Sequence, residues 1–123
     1  MSVFNDQKKF MIAIDQTVGD LNYEQFNLYL KLITEEYDEL QVAAANKDRV
    51  ETVDALLDII VVAIGALHSV GVDVDGAWKE VSASNLAKIN PRTGRVQKRE
   101  DGKVIKPEGW QPPDIKKYIK TEL

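Results

Sequence analysis

Six carboxylates within residues 35–58 are spaced as a cation site would need them. Glu35, Glu36 and Glu39 stand in the run ITEEYDEL, and Glu51, Asp54 and Asp58 in ETVDALLD. Steps of three and four residues put side chains on one helical face, one turn apart. Two facing helices with such rows gather several like charges in one place, and a divalent cation is the usual reason a protein tolerates that. The plainer alternative is a pair of solvated charged faces. The neighbouring residues argue against it. At about 100° per residue, the first helix has an apolar stripe of Phe26, Leu30, Ile33, Tyr37, Leu40 and Ala44, with Glu36 and Glu39 beside it rather than opposite. On the second helix every residue from 59 to 67 is apolar or Gly, which predicts burial all round. Asp54 and Asp58 stand at the entrance to that segment. A carboxylate out of water is costly unless paired or bound to metal. Residues 35–58 hold eight acids and only Lys47 and Arg49 to pair with them.

The rest of the composition narrows the metal. There is no cysteine and one histidine, His68, which excludes a disulfide framework, thiolate zinc, a Cys nucleophile and the usual His-based zinc sites. Oxygen ligands remain, and they point to Mg²⁺ or Mn²⁺. The 123 residues suit one domain, 1–123, and 44% hydrophobic with 29% charged residues is ordinary for a soluble globular protein. The start MSVFNDQKKF lacks the pattern of a signal peptide. The apolar run is far short of the ~20 residues that span a bilayer. No membrane association and a cytoplasmic location are the expectation.

Charge is unevenly spread. Residues 35–58 carry a balance of −6, whereas residues 88–106 carry seven bases against Glu100 and Asp101, a balance of +5. An acidic cluster and a basic segment in one small protein suit a metal bound to a polyphosphate. The basic segment alone would also suit a solvated tail or a weak nucleic-acid contact.

Four helices would position these groups. Asn5 or Asp6 can cap the first, which runs to about Thr17 with Phe10, Ile14 and Met11 inward. Asn22 can cap the second, to about Asn46. A short turn leads to Asp48, the cap of a third helix from Arg49 to about Val70, with Gly71 as its stop. So short a connection makes the two helices antiparallel neighbours and brings Glu36 and Glu39 near Glu51 and Asp54. His68 suits a contact with the helix C-terminus. Asp73 or Asp75 can cap a fourth helix to about Ile89, with the row Val74, Trp78, Val81, Asn85 and Lys88 inward. Beyond it, Pro and Gly forbid a long helix. Residues 96–99 and 103–105 read as a hairpin, residues 106–113 as an extended strap, and Asp114 as the cap of a last short helix. Trp110 reads as an anchor for the strap, with base stacking as the alternative.

The pattern Glu35-Glu36-x-x-Glu39, then Glu51-x-x-Asp54 on the next helix, resembles the signature of the all-α nucleoside triphosphate pyrophosphohydrolases. These include MazG-like enzymes, dimeric dUTPases and phosphoribosyl-ATP pyrophosphohydrolases. The resemblance covers about residues 5–89. VSASNLAKI and DGKVIKPEGWQPPD are similar to a MazG-like, phosphoribosyl-ATP-pyrophosphohydrolase-like subgroup. It implies an all-α fold: a four-helix bundle (about 5–89) with a small C-terminal β-hairpin and extended tail (about 90–123). It also implies Mg²⁺, with Mn²⁺ able to substitute, on Glu36, Glu39, Glu51 and Asp54. Asp58 would be an additional ligand, and Glu35 a ligand or the acid that orients water. Asn85 and Lys88 would contact substrate, and Lys103 and Lys106 its phosphates.

The implied reaction is hydrolysis of a (d)NTP at the α–β linkage to a monophosphate and pyrophosphate, by a homodimer or homotetramer. Two other readings stay open: a phosphoribosyl-ATP substrate, and a non-catalytic helical module that binds nucleic acid or protein. Nucleic acid is the less expected partner, because the acidic surface would repel its phosphates. A di-iron bundle lacks its Glu-x-x-His pair.

Overall fold

The computed structural model describes residues 2–120. Four helices are present, α1 (Val3–Ala13), α2 (Tyr23–Ala45), α3 (Arg49–His68) and α4 (Val74–Leu86). A two-stranded antiparallel hairpin follows, β1 (Gln97–Lys98) and β2 (Val104–Ile105), and then a 3₁₀ turn at Lys116–Tyr118. This is the all-α class with a small C-terminal hairpin that the sequence predicts. Two compact units are formed: residues 2–74 with Ile119 and Lys120, and Asp75–Tyr118.

The first unit is built on the α2–α3 pair. Asn22 caps α2 by accepting from Gln25 N, and Asp48 caps α3 by accepting from Glu51 N at 3.1 Å. Between them Lys47 adopts a left-handed conformation (φ 54°), and Asp48 N donates to Ala43 O. That reverses the chain within three residues. Two contacts fix the register: Gln25 Nε2 donates to Ser69 Oγ at 2.8 Å, and Tyr29 lies against Gly65. Seven residues further along α2 and seven back along α3, the same register sets Glu36 level with Asp58.

The core beside these pairs is Met11, Tyr29, Val62 and Ala66, with Phe26, Leu32 and Ile33 packed against it. His68 is buried and its Nε2 lies 2.9 Å from Phe4 O, so it ties α1 to α3. The Gln25 side chain also accepts from Thr17 N (2.9 Å) and donates to Thr17 O (2.7 Å), holding the α1–α2 connection. Gly71 follows α3 at φ 70°; a Cβ there would stand 3.2 Å from Leu21 N and be strained as well.

Several expectations are corrected. Helix α1 is capped by Ser2, whose Oγ accepts from Asn5 N, and not by Asn5 or Asp6. It ends at Ala13 because Asp15 turns left-handed (φ 62°) and Gln16 N folds back to Met11 O. Phe4 and Met11 are its buried residues, seven apart on one face, while Phe10 and Ile14 are exposed. Helix α3 stops at His68 rather than Val70. Residues 59–67 are not buried all round: Ile60 is 49% exposed and Val61 and Leu67 are each 40% exposed, because α1 and α2 flank one side of α3. The apolar stripe of α2 is also rotated from the predicted one. Leu30 and Tyr37 are exposed, and the buried positions are Gln25, Tyr29 and Ala43.

In the second unit the tail is held on α4. Trp110 Nε1 donates to Ser84 O at 2.7 Å, the anchoring the sequence suggests. Glu80 accepts from Asp114 N (3.1 Å) and Tyr118 Oη (3.2 Å), and pairs with Lys117 at 3.5 Å. On α4, Trp78 and Asn85 are exposed rather than inward, and Val81 is half-buried. The predicted last helix is a single 3₁₀ turn. Among the described residues, no helix is long and apolar enough to cross a membrane.

Candidate active site

The inward face of α2 repeats every seven residues, Tyr29, Glu36, Ala43. Glu36 is half-buried there, between a tyrosine and an alanine that are both buried. Its Oε2 is buried and has no hydrogen-bond partner. Burial pushes the Glu36 carboxyl above the ordinary glutamate range. The neighbouring Glu39 carboxyl pushes the same way, as do the negative fields of Asp58 and Asp54. Asp58, half-buried on α3, belongs to the same register as Gln25–Ser69 and Tyr29–Gly65.

Toward the turn, α2 and α3 flank an open cleft of about 480 Å³. Glu39 lines it from α2, and Glu51 and Asp54 from α3, with Ala43 and Ala55 along its base. Small residues at both positions leave room between the helices. The sequence reading missed Asp38 and Asp48 as lining groups. Their signal was available: Asp38 adjoins Glu39, and the residue that caps α3 must sit at the mouth of the turn. Glu35 is exposed and lies outside the lining of this cleft.

These acids fit a hard divalent cation. The donors are all carboxylate oxygens, one of them buried and unsatisfied. Among the described residues, no Lys or Arg is ion-paired with Glu36, Glu39, Glu51, Asp54 or Asp58. Such a set is stabilised by a cation with oxygen preference. Among the described residues, no three acids converge on one point. Glu39, Glu51 and Asp54 line the cleft, whereas Glu36 and Asp58 lie outside its lining.

The four predicted substrate contacts lie in the second unit. Lys88 Nζ donates to Asn85 Oδ1 at 3.1 Å. The Lys88 and Lys106 ammoniums stand 5.3 and 4.7 Å from the centre of the Trp110 ring. Lys103 is apart from them, in the hairpin, where its backbone N–H donates to Asp101 Oδ1 at 3.0 Å.

Residues 9–85, well over half of the chain, match the family model described as phosphoribosyl-ATP pyrophosphohydrolase. The chain belongs to the phosphoribosyl-ATP pyrophosphohydrolase family. That family is part of the all-α nucleoside triphosphate pyrophosphohydrolase superfamily. The match takes in all eight acids of residues 35–58 and ends at Asn85, so the hairpin and tail lie beyond it. A search of the curated proteins returned no match. As a member of the phosphoribosyl-ATP pyrophosphohydrolase family, the chain is a nucleotide pyrophosphohydrolase, a hydrolase acting on a phosphoanhydride. The family is generally dependent on a divalent metal, in keeping with the unpaired carboxylates of α2 and α3.

Proposed function

We propose that this protein is a Mg²⁺-dependent (d)NTP pyrophosphohydrolase that cleaves the α–β linkage, releasing a nucleoside monophosphate and pyrophosphate. The observation that carries the reading is Glu36 Oε2, a buried carboxylate oxygen without a partner, in the field of three other acids. Glu36, Glu39, Glu51 and Asp54 would hold Mg²⁺, with Asp58 as an additional ligand and Mn²⁺ as a possible substitute. When bound, the cation would offset the triphosphate charge and acidify water. The carboxylates by themselves would repel the triphosphate, so Glu36, Glu39, Glu51 and Asp54 would admit it only together with the cation they hold. Glu39, exposed at the cleft, would take the proton of the attacking water. Glu35, one residue from Glu36 and open to solvent, would orient that water. Asn85, Lys88, Lys103 and Lys106 would supply contacts to the nucleotide.

A second substrate has a specific observation in its favour. The matching family is described by phosphoribosyl-ATP, whose cleavage uses the same bond type and the same acids. The working form is proposed to be a homodimer or homotetramer. Val50, Val53, Leu57 and Ile60, at steps of three and four along α3, are exposed apolar side chains, and a second copy of the same row would cover them. A cytoplasmic setting is part of the same proposal.

The test is pyrophosphate release from ribo- and deoxynucleoside triphosphates and from phosphoribosyl-ATP, with Mg²⁺, Mn²⁺ or EDTA. EDTA-sensitive release of pyrophosphate and matching monophosphate from a (d)NTP supports the proposal. Turnover of phosphoribosyl-ATP alone assigns the second substrate. Absence of turnover on all of them overturns both.

A further inference from the structure

Asp48 is bonded to both helices that form the cleft. Its N–H donates to Ala43 O on α2 at 3.0 Å. Its Oδ1 accepts from Glu51 N on α3 at 3.1 Å. Its carbonyl accepts from Thr52 N at 2.9 Å and from Thr52 Oγ1 at 2.6 Å. Ala43, Asp48 and Glu51 all line the cleft. One residue thus ties the end of α2 to the first turn of α3 at the mouth of the site.

The bond to Ala43 frees Glu51. Glu51 is the third residue of α3, which begins at Arg49 after the cap Asp48. In the usual capping arrangement an acid at that position reaches back and accepts the N–H of the capping residue. Here that N–H is already engaged. Lys47 turns left-handed (φ 54°), Lys47 N donates to Ala44 O at 3.1 Å, and Asp48 N donates to Ala43 O. This pair of bonds closes the C-terminus of α2. The Glu51 carboxylate is left without that local partner and lines the cleft instead. Among the described residues it has no Lys or Arg ion pair. The first amides of a helix lack intrahelical acceptors and need oxygens from elsewhere. Asp48 Oδ1 supplies one to the Glu51 amide. Without it, the Glu51 carboxylate would be drawn onto the free amides of its own turn and out of the cleft.

We infer that Asp48 is a positioning residue for the pyrophosphohydrolase reaction. With its N–H on α2 and its carboxylate on the Glu51 amide, it keeps the Glu51 carboxylate in the cleft and available to a divalent cation. The inference rests on the proposed role of Glu51 as a ligand of that cation. Because Asp48 acts through a cap, Asn, which caps a helix as well as Asp does, can replace it.

The test is calorimetric titration of the full chain with Mn²⁺ alone, without nucleotide, at a temperature where circular dichroism shows every variant folded. Asp48→Ala should weaken Mn²⁺ binding about tenfold or more. Asp48→Asn, which keeps the cap and removes the charge, should stay within about threefold of wild type. In a Glu51→Gln background, Asp48→Ala should change Kd by less than about twofold, because the ligand it positions is already lost. Should Asp48→Ala not fold, Asp48→Gly removes the same carboxylate at a smaller cost to the helix start and takes its place. Equal losses in the Asn and Ala variants would assign Asp48 a role through its charge and overturn the inference. A loss from Asp48→Ala that persists undiminished in the Glu51→Gln background would overturn it as well. Wild-type Mn²⁺ affinity in Asp48→Ala would overturn this inference alone, whereas a wild type that binds no Mn²⁺ at millimolar concentration would overturn it together with the reading on which it rests.

Discussion

The Tyr29 ring lies against the backbone of Gly65, so closely that a Cβ on residue 65 would overlap three ring carbons. One turn further toward the chain termini, Gln25 meets Ser69 at 2.8 Å. This contact sets how near α2 and α3 come, and hence how the acids farther along are spaced. Gly65→Ala is expected to destabilise the fold by about 1–3 kcal/mol through overpacking, although alanine is the better helix former by roughly 1 kcal/mol. In a Tyr29→Ala background the clash is gone, so the same change should become neutral or stabilising. Urea denaturation of the four variants measures the coupling.

Glu36 gives a second expectation, with a definite sign. Its folded-state pKa is raised, by burial first and then by Glu39, Asp58 and Asp54. Its contribution to stability is therefore present below the ordinary glutamate range and lost as pH rises through the raised value. At pH 7 without metal, Glu36→Gln should melt higher than wild type by about 2–6 °C. Adding Mg²⁺ should raise the melting temperature of wild type and leave that of Glu36→Gln nearly unchanged. Scanning calorimetry with and without EDTA decides it.

Glu39 lines the cleft and adjoins Glu36. Glu39→Gln keeps the shape and removes one charge. Turnover should fall by at least about 100-fold, with the circular dichroism spectrum unchanged. Full activity in this variant would show that the acids of α2 are not the site.

Glu80 holds the tail through the Asp114 amide, the Lys117 ammonium and the Tyr118 hydroxyl, and its pKa is lowered chiefly by the Asp114 hydrogen bond, against opposing desolvation. A lowered carboxylate pKa contributes stability above the ordinary glutamate range and loses it as pH falls through the folded value. The Asp114 amide resonance should therefore shift on acidification with a midpoint below that of ordinary glutamates. In Glu80→Gln the step should vanish.

The exposed row on α3 offers a test of assembly. Leu57 is 56% exposed at the centre of the Val50–Val53–Leu57–Ile60 stripe. Leu57→Lys should convert an oligomer of the wild type to monomer in light scattering, with helical content retained. A wild type that is already monomeric at micromolar concentration would remove the proposal of a homo-oligomer.

By itself the sequence determined the elements that depend on local chemistry. Asn22 and Asp48 announce the starts of α2 and α3 because a side-chain oxygen there satisfies a free amide three residues on. The short turn between Ala45 and Arg49 then forces an antiparallel pair, and the acid spacing forces the carboxylates onto neighbouring faces. Tertiary structure alone decided which way those faces turn. Leu30 and Tyr37 look like core yet lie in solvent, while Gln25 looks like surface yet is buried. The reason is that α2 rotates to seat Tyr29 on Gly65 and Gln25 between Thr17 and Ser69. Close packing at a glycine and three hydrogen bonds outweigh the exposure of two apolar side chains. Periodicity counts hydrophobic residues but does not see where a partner helix has a gap.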